Sequence, residues 1–113
     1  MIKIYHNPRC RKSREGLAIL QESGKDFQII KYLDDVPSVN DIQSIIDKLE
    51  VSPIDLVRKQ EKIWKENYKN KTLSDPEILK ALHEHPKLIE RPIVLKDNKA
   101  VIGRPPGDIK KIL

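Results

Sequence analysis

A chain of 113 residues is the size of one compact domain with a single hydrophobic core. Its 22 Lys and Arg against 17 Asp and Glu give a net charge of +5, but acids are interspersed through most of the chain, which argues against a nucleic-acid-binding arm. No apolar run exceeds a few residues, so no membrane helix is expected, and a lone cysteine cannot close an internal disulfide.

The opening "IKIY" alternates apolar and polar residues and predicts a strand over Ile2 to Tyr5, with no segment resembling an export signal. "HNP" breaks it, Cys10 follows, and a helix is predicted from about Arg11 to Ser23, with Leu17 and Leu20 inward and Gly24 placed to end it. "FQIIKYL", Phe27 to Leu33, is the second predicted strand, parallel to the first by the handedness of β-α-β crossovers. Ser38 with Asp41 forms a capping-box pattern, and Ile42, Ile45, Ile46 and Leu49 follow at the spacing of one buried helix face. Ser52-Pro53 with Asp55 predicts a short helix carrying Ile54, Leu56 and Val57, and Ser74 with Glu77 opens another that Pro86 stops. Between them, "KQEKIWKENYKNKT" is charged, partly helical and anchored by Trp64, and reads as a solvated face. "PIVL" and "AVI" around a four-residue "KDNK" turn predict an antiparallel hairpin, and "DIKKIL" a short closing helix.

The order is β-α-β, a helical block, then β-β-α. Without the block, at about residues 38–86, this is the order of an α/β thioredoxin-like domain, and the whole chain, 1–113, reads as one such domain with an inserted helical block.

The chemistry centres on Cys10. A thiol attacks as the thiolate, and its unperturbed pKa of roughly 8.5 leaves little ionised at neutral pH. Helix-start N–H groups, the dipole and the fields of Arg9, Arg11, Lys12 and Arg14 are all expected to lower it, and the same junction suits an oxyanion. Ser13 stands where dithiol oxidoreductases carry a second cysteine and offers a hydroxyl hydrogen bond instead. His6 is placed to orient the loop or tune the thiolate; a histidine that only satisfies backbone groups fits the local sequence as well. The alternative for Cys10 is a small core residue beside a solvated cationic helix face.

"YHNPRCRKSR" resembles the HNPxC–x–x–SR signature of the glutaredoxin-linked arsenate reductase family, whose fold is thioredoxin-like. The likeness continues through "YLDDVPSVNDI", "LVRKQE", "HPKLIERPIVL" and "IGRPP", separated motifs in the right order along the chain. It implies that Cys10 is the nucleophile, that Arg58, Arg91 and Arg104 hold arsenate and its thiol adduct, and that the Arg91-Pro92 bond is cis. Several guanidiniums with bidentate geometry suit a tetrahedral dianion in a way lysine does not. By residue context alone, Arg58 reads more readily as an exposed helix residue, and Arg104 fits a turn residue beside Pro105. Arg11-Lys12 departs from the small pair, commonly Gly-Thr, of arsenate-specific members, which bears on the substrate more than on the fold.

The resemblance implies arsenate reduction through a Cys10 adduct, with glutathione as thiol co-substrate, glutaredoxin restoring the thiol, no bound cofactor, a monomer and a cytoplasmic setting. Two rival readings stand beside it. One is a Spx-type regulator binding RNA polymerase, whose Cys-x-x-Cys switch Ser13 cannot complete. The other is a monothiol oxidoreductase with a non-arsenate substrate. His83 and His85, at i and i+2 on a helix, do not face one another and suggest no metal site. A phosphatase-like Cys-x5-Arg loop needs arginine where Gly16 stands.

Overall fold

The computed structural model describes residues 1–113. Strand β1 (Ile2–Tyr5) leads into helix α1 (Arg11–Glu22), and strand β2 (Phe27–Ile30) returns parallel to β1. Helices α2 (Val39–Leu49), α3 (Lys62–Asn67) and α4 (Asp75–Glu84) follow, with 3-10 turns at Pro53–Leu56 and Pro86–Leu88. Strands β3 (Ile93–Lys96) and β4 (Lys99–Ile102) and a 3-10 segment, Pro106–Ile112, complete the chain. The sheet order is β2-β1-β3-β4, with β3 antiparallel to both neighbours, the thioredoxin-like arrangement. Contacts divide the chain into two compact units, Met1–Asp35 with Arg91–Leu113, and Val36–Glu90.

In the first unit, the period-two alternation of β1 turns Ile2 and Ile4 to one face of the sheet, where they meet Leu20, Val94 and Ile109 in a buried cluster. The first unit packs tightly around Pro92. A Cβ added at Gly16 of α1 would sit 2.8 Å from Pro92 Cγ and 2.9 Å from Ile109 Cδ1, and one at Gly103 would meet the same two atoms at 2.9 and 3.0 Å. These glycines let α1 and the end of β4 close on the proline, and so hold the start of α1 against the start of β3. Gly24, at φ +71°, follows the helix end as predicted.

In the second unit, Ile42, Ile45 and Ile46 of α2 form the buried face the spacing predicts, and Ile78, Leu79 and Leu82 of α4 are buried as well. Both helices open with capping boxes: Ser38 Oγ accepts from the Asp41 N–H at 3.0 Å, and Glu77 Oε1 accepts from the Ser74 N–H at 3.0 Å. Trp64 is buried and stacks on Tyr68 at 5.2 Å between centroids.

Four element boundaries differ from expectation. Strand β2 ends at Ile30 rather than Leu33, because its partner β1 ends at Tyr5 and Lys31 turns the chain, accepting from the N–H groups of Asp34 and Asp35. The Pro53 segment is a 3-10 turn, and Val57 leaves it in extended form to bridge Ile89. The hairpin turn is two residues, Asp97-Asn98, because Lys96 and Lys99 still pair and Asp97 takes the left-handed conformation at φ 56°. The closing segment is 3-10 and begins at Pro106 rather than Asp108.

Candidate active site

The end of β1, the "HNP" loop and the start of α1 build a tight frame around the thiol. Cys10 is the N-cap residue of α1, extended at φ −96° and ψ 123°, and half-buried. Its N–H donates to the Asn7 carbonyl at 3.0 Å, and Asn7 Oδ1 accepts from the Arg9 N–H at 3.0 Å. The Asn7 N–H donates to Ser13 Oγ at 2.9 Å, and Ser13 Oγ lies 2.6 Å from His6 Nδ1. His6, Asn7 and Ser13 are all buried, so the loop is braced from beneath by polar groups that satisfy one another. Asn7 is the residue sequence reasoning overlooked; its signal was its place before Pro8, in a short turn where an amide side chain bonds its own backbone two residues on.

Burial pushes the Cys10 thiol up, but the Ser13 N–H, the Arg91 guanidinium and the Lys12 N–H together outweigh it and hold the pKa below the ordinary thiol value. The hydrogen bond that Ser13 offers the sulfur is therefore from its backbone; its hydroxyl is engaged by His6 and Asn7. Nor do the neighbouring cations act as expected. Arg11 and Lys12 turn to the Glu15 carboxylate at 3.1 and 3.9 Å, and Arg14 Nη1 donates to the Pro8 carbonyl at 3.1 Å. The positive charge beside the sulfur comes from far along the chain instead.

Arg104 Nη2 lies 3.7 Å from Cys10 Sγ, and its Nε donates to the Arg91 carbonyl at 2.9 Å, so one arginine's backbone aims the other's side chain. Arg104 is exposed and water screens its charge, whereas Arg91 is half-buried and acts more strongly on the thiol. The Arg91-Pro92 bond is cis, as the resemblance implied, and Arg104-Pro105 is cis as well, which was not expected. For His6, burial holds the pKa below the usual histidine value, helped by Lys31 and Arg14 and opposed by the Ser13 hydrogen bond.

The first unit thus brings together Cys10, His6, Ser13, Arg91 and Arg104. Arg58 belongs to the second unit, where its N–H donates to the Leu88 carbonyl at 2.7 Å. Its side chain is only 12% exposed, with Nε 3.7 Å from Glu61 Oε2, and it is not the solvated helix residue that local sequence allowed. Its buried Nε and Nη1 have no hydrogen-bond acceptor. No group of His, Cys, Asp and Glu side chains suitable for a metal ion is present, and no helix is long and apolar enough to cross a membrane.

The ArsC family model matches residues 5–112. This chain belongs to the ArsC family. The ArsC-family chain is 46% identical over 112 residues to an arsenate reductase of Haemophilus influenzae, covering 97% of both chains. It is 41% identical over 114 residues to an arsenate reductase of Neisseria meningitidis, covering 99% of this chain and 97% of that one. The solved structure of an arsenate reductase from Vibrio cholerae superposes on it with a TM-score of 0.94 at 44% identity, covering 99% of this chain and 97% of that one.

Proposed function

We propose that this chain reduces arsenate to arsenite through a covalent adduct on Cys10, with an external thiol as reductant. The observation that carries the proposal is a half-buried thiol with a lowered pKa, at a helix N-terminus, with the Arg104 guanidinium 3.7 Å away and Arg91 stabilising its ionised form. The arsenate reductase names of full-length relatives support the same substrate.

In this scheme the Cys10 thiolate attacks arsenic(V), an As–S bond forms, and one oxygen leaves as water. Arg91 and Arg104 hold the remaining oxygens by charge-assisted hydrogen bonds. The resemblance gives Arg58 the same role. His6 and Ser13 act as positioning residues, holding the loop in which the Ser13 and Lys12 N–H groups reach the sulfur.

With a single cysteine, the second sulfur comes from outside. An incoming thiol attacks Cys10 Sγ, the As–S bond breaks with its electron pair on arsenic, and arsenite leaves as arsenic(III). Glutathione is the thiol this reading assigns, with glutaredoxin resolving the mixed disulfide by exchange and the cytoplasm as the setting. The scheme uses no bound cofactor.

The test is arsenate-dependent oxidation of glutathione in the presence of glutaredoxin. Wild type turns over and Cys10→Ser does not; equal rates for the two would remove arsenate reduction from this chain.

A further inference from the structure

The second unit carries a groove that the proposed chemistry does not use. An open cavity of about 370 Å³ is lined by Ile54, Trp64 and four lysines, Lys59, Lys65, Lys69 and Lys71. A second, of about 350 Å³, shares Ile54, Trp64 and Lys71 and is otherwise lined by Leu73, Ile78, Ser52 and Asp75. Ile54 and Trp64 thus contribute apolar surface to both cavities, with a rim of lysines around the first and the Asp75 carboxylate at the second.

The lysines of this rim differ from others in the same unit. Lys62 pairs with Glu66 and Lys80 with Glu84, each at i,i+4 along a helix, at 3.7 and 3.8 Å. Lys59, Lys65, Lys69 and Lys71 are exposed, and none has a carboxylate within ion-pair distance, although Glu61 and Glu66 lie close in sequence. Glu61 is taken by Arg58 and Glu66 by Lys62. Positive charge therefore gathers around the first cavity, with the Glu77 carboxylate acting on Lys71 at its edge.

We infer that this groove docks an acidic peptide segment of a partner protein, with one aliphatic side chain on Ile54, Trp64 and Leu73 and carboxylates on the lysine rim. Charge complementarity selects the acid, and the apolar floor distinguishes a peptide from a bare anion. A nucleic acid fits less well. Base recognition on a single strand uses open aromatic faces, and Trp64 is buried with its ring stacked on Tyr68.

Trp64 is the chain's only tryptophan, so its emission reports the groove directly. The probe is a ten-residue glutamate-rich peptide with one central leucine, titrated at low salt into the full chain. The expected result is a saturable change in Trp64 emission. Binding should weaken at least tenfold when the leucine is replaced by serine, and at least tenfold in Lys65→Glu/Lys69→Glu. Lys62→Glu, an equally exposed charge reversal outside the groove, should weaken it less than threefold. No saturable change, equal weakening by Lys62→Glu, indifference to the leucine, or tighter binding of a thymidine oligonucleotide would each overturn the inference. Arsenate turnover needs no part of this measurement, so the two proposals fail separately.

Discussion

His6 Nδ1 and Ser13 Oγ stand 2.6 Å apart, both buried beneath the loop that presents the thiol. Ser13 Oγ also accepts from the Asn7 N–H, so one hydroxyl ties the His6 ring to the loop backbone. Burial favours the neutral imidazole and outweighs the Ser13 hydrogen bond, which acts the other way. The pair therefore fixes the loop without charging it, and leaves the backbone N–H of Ser13 to face the sulfur.

Ser13→Ala should accordingly act on stability before it acts on the thiol. It removes the acceptor of a buried N–H, an orphaning that costs about 1–3 kcal/mol. Urea unfolding should show that loss, while the pH dependence of Cys10 alkylation keeps an inflection below that of a free thiol, since the Ser13 N–H remains. A shift of the inflection to the free-thiol value would mean that the hydroxyl, not the backbone, holds the thiolate.

Alkylation of Cys10 with iodoacetamide should inflect below the ordinary value of roughly 8.5, and Arg91→Ala should move that inflection upward by removing a hydrogen bond and a positive charge. Sulfate or arsenate should also raise it, by placing negative charge beside the sulfur. The linkage has a definite sign. A thiol whose folded pKa is lowered adds stability fully present above its unfolded pKa and lost as pH falls through the folded one. The stability advantage of wild type over Cys10→Ser should therefore shrink on acidification through that window; an advantage that grew would contradict a stabilised thiolate.

What the sequence made legible was local. The capping boxes at Ser38 and Ser74, the isoleucine face of α2 and the glycine after α1 each depend on residues a few positions apart, and each forms as read. The misreadings share a cause in tertiary partners. Strand β2 stops where β1 stops, and the hairpin turn shortens because two lysines keep pairing. At the site, proximity in sequence misled. Arg11 and Lys12, one and two positions from Cys10, turn to Glu15, while Arg104, 94 positions away, reaches the sulfur. Only the family resemblance connected that arginine to the thiol, since no periodicity links a helix start to a loop after the last strand.

Gly16→Ala illustrates the same dependence on distant atoms. On an isolated helix the change would help by about 1 kcal/mol. Here the new Cβ would stand 2.8 Å from Pro92 Cγ and 2.9 Å from Ile109 Cδ1, both on fully buried side chains with little room to retreat. Overpacking of this kind costs about 1–3 kcal/mol, so chemical denaturation should show net destabilisation. Because Pro92 follows Arg91, the alkylation inflection of Cys10 should also rise. A stabilised variant would mean that α1 can move off the proline without loss.

Arg58 gives the sharpest separation between stability and binding. Two of its buried N–H groups lack acceptors, and its ion pair with Glu61 is long at 3.7 Å, so the anion-free fold gains little from the charge. Replacing a poorly satisfied buried charge by an apolar side chain of similar length is often neutral or stabilising. Arg58→Met should therefore unfold at the same or higher urea concentration in the absence of oxyanion. Its affinity for arsenate should fall roughly ten- to a hundred-fold, the worth of about 1.5–3 kcal/mol for hydrogen bonds to a charged group. Stabilisation by added arsenate should shrink in proportion. If the variant instead unfolds earlier and binds arsenate as wild type does, Arg58 is a structural residue held by Glu61, and the oxyanion is left to Arg91 and Arg104.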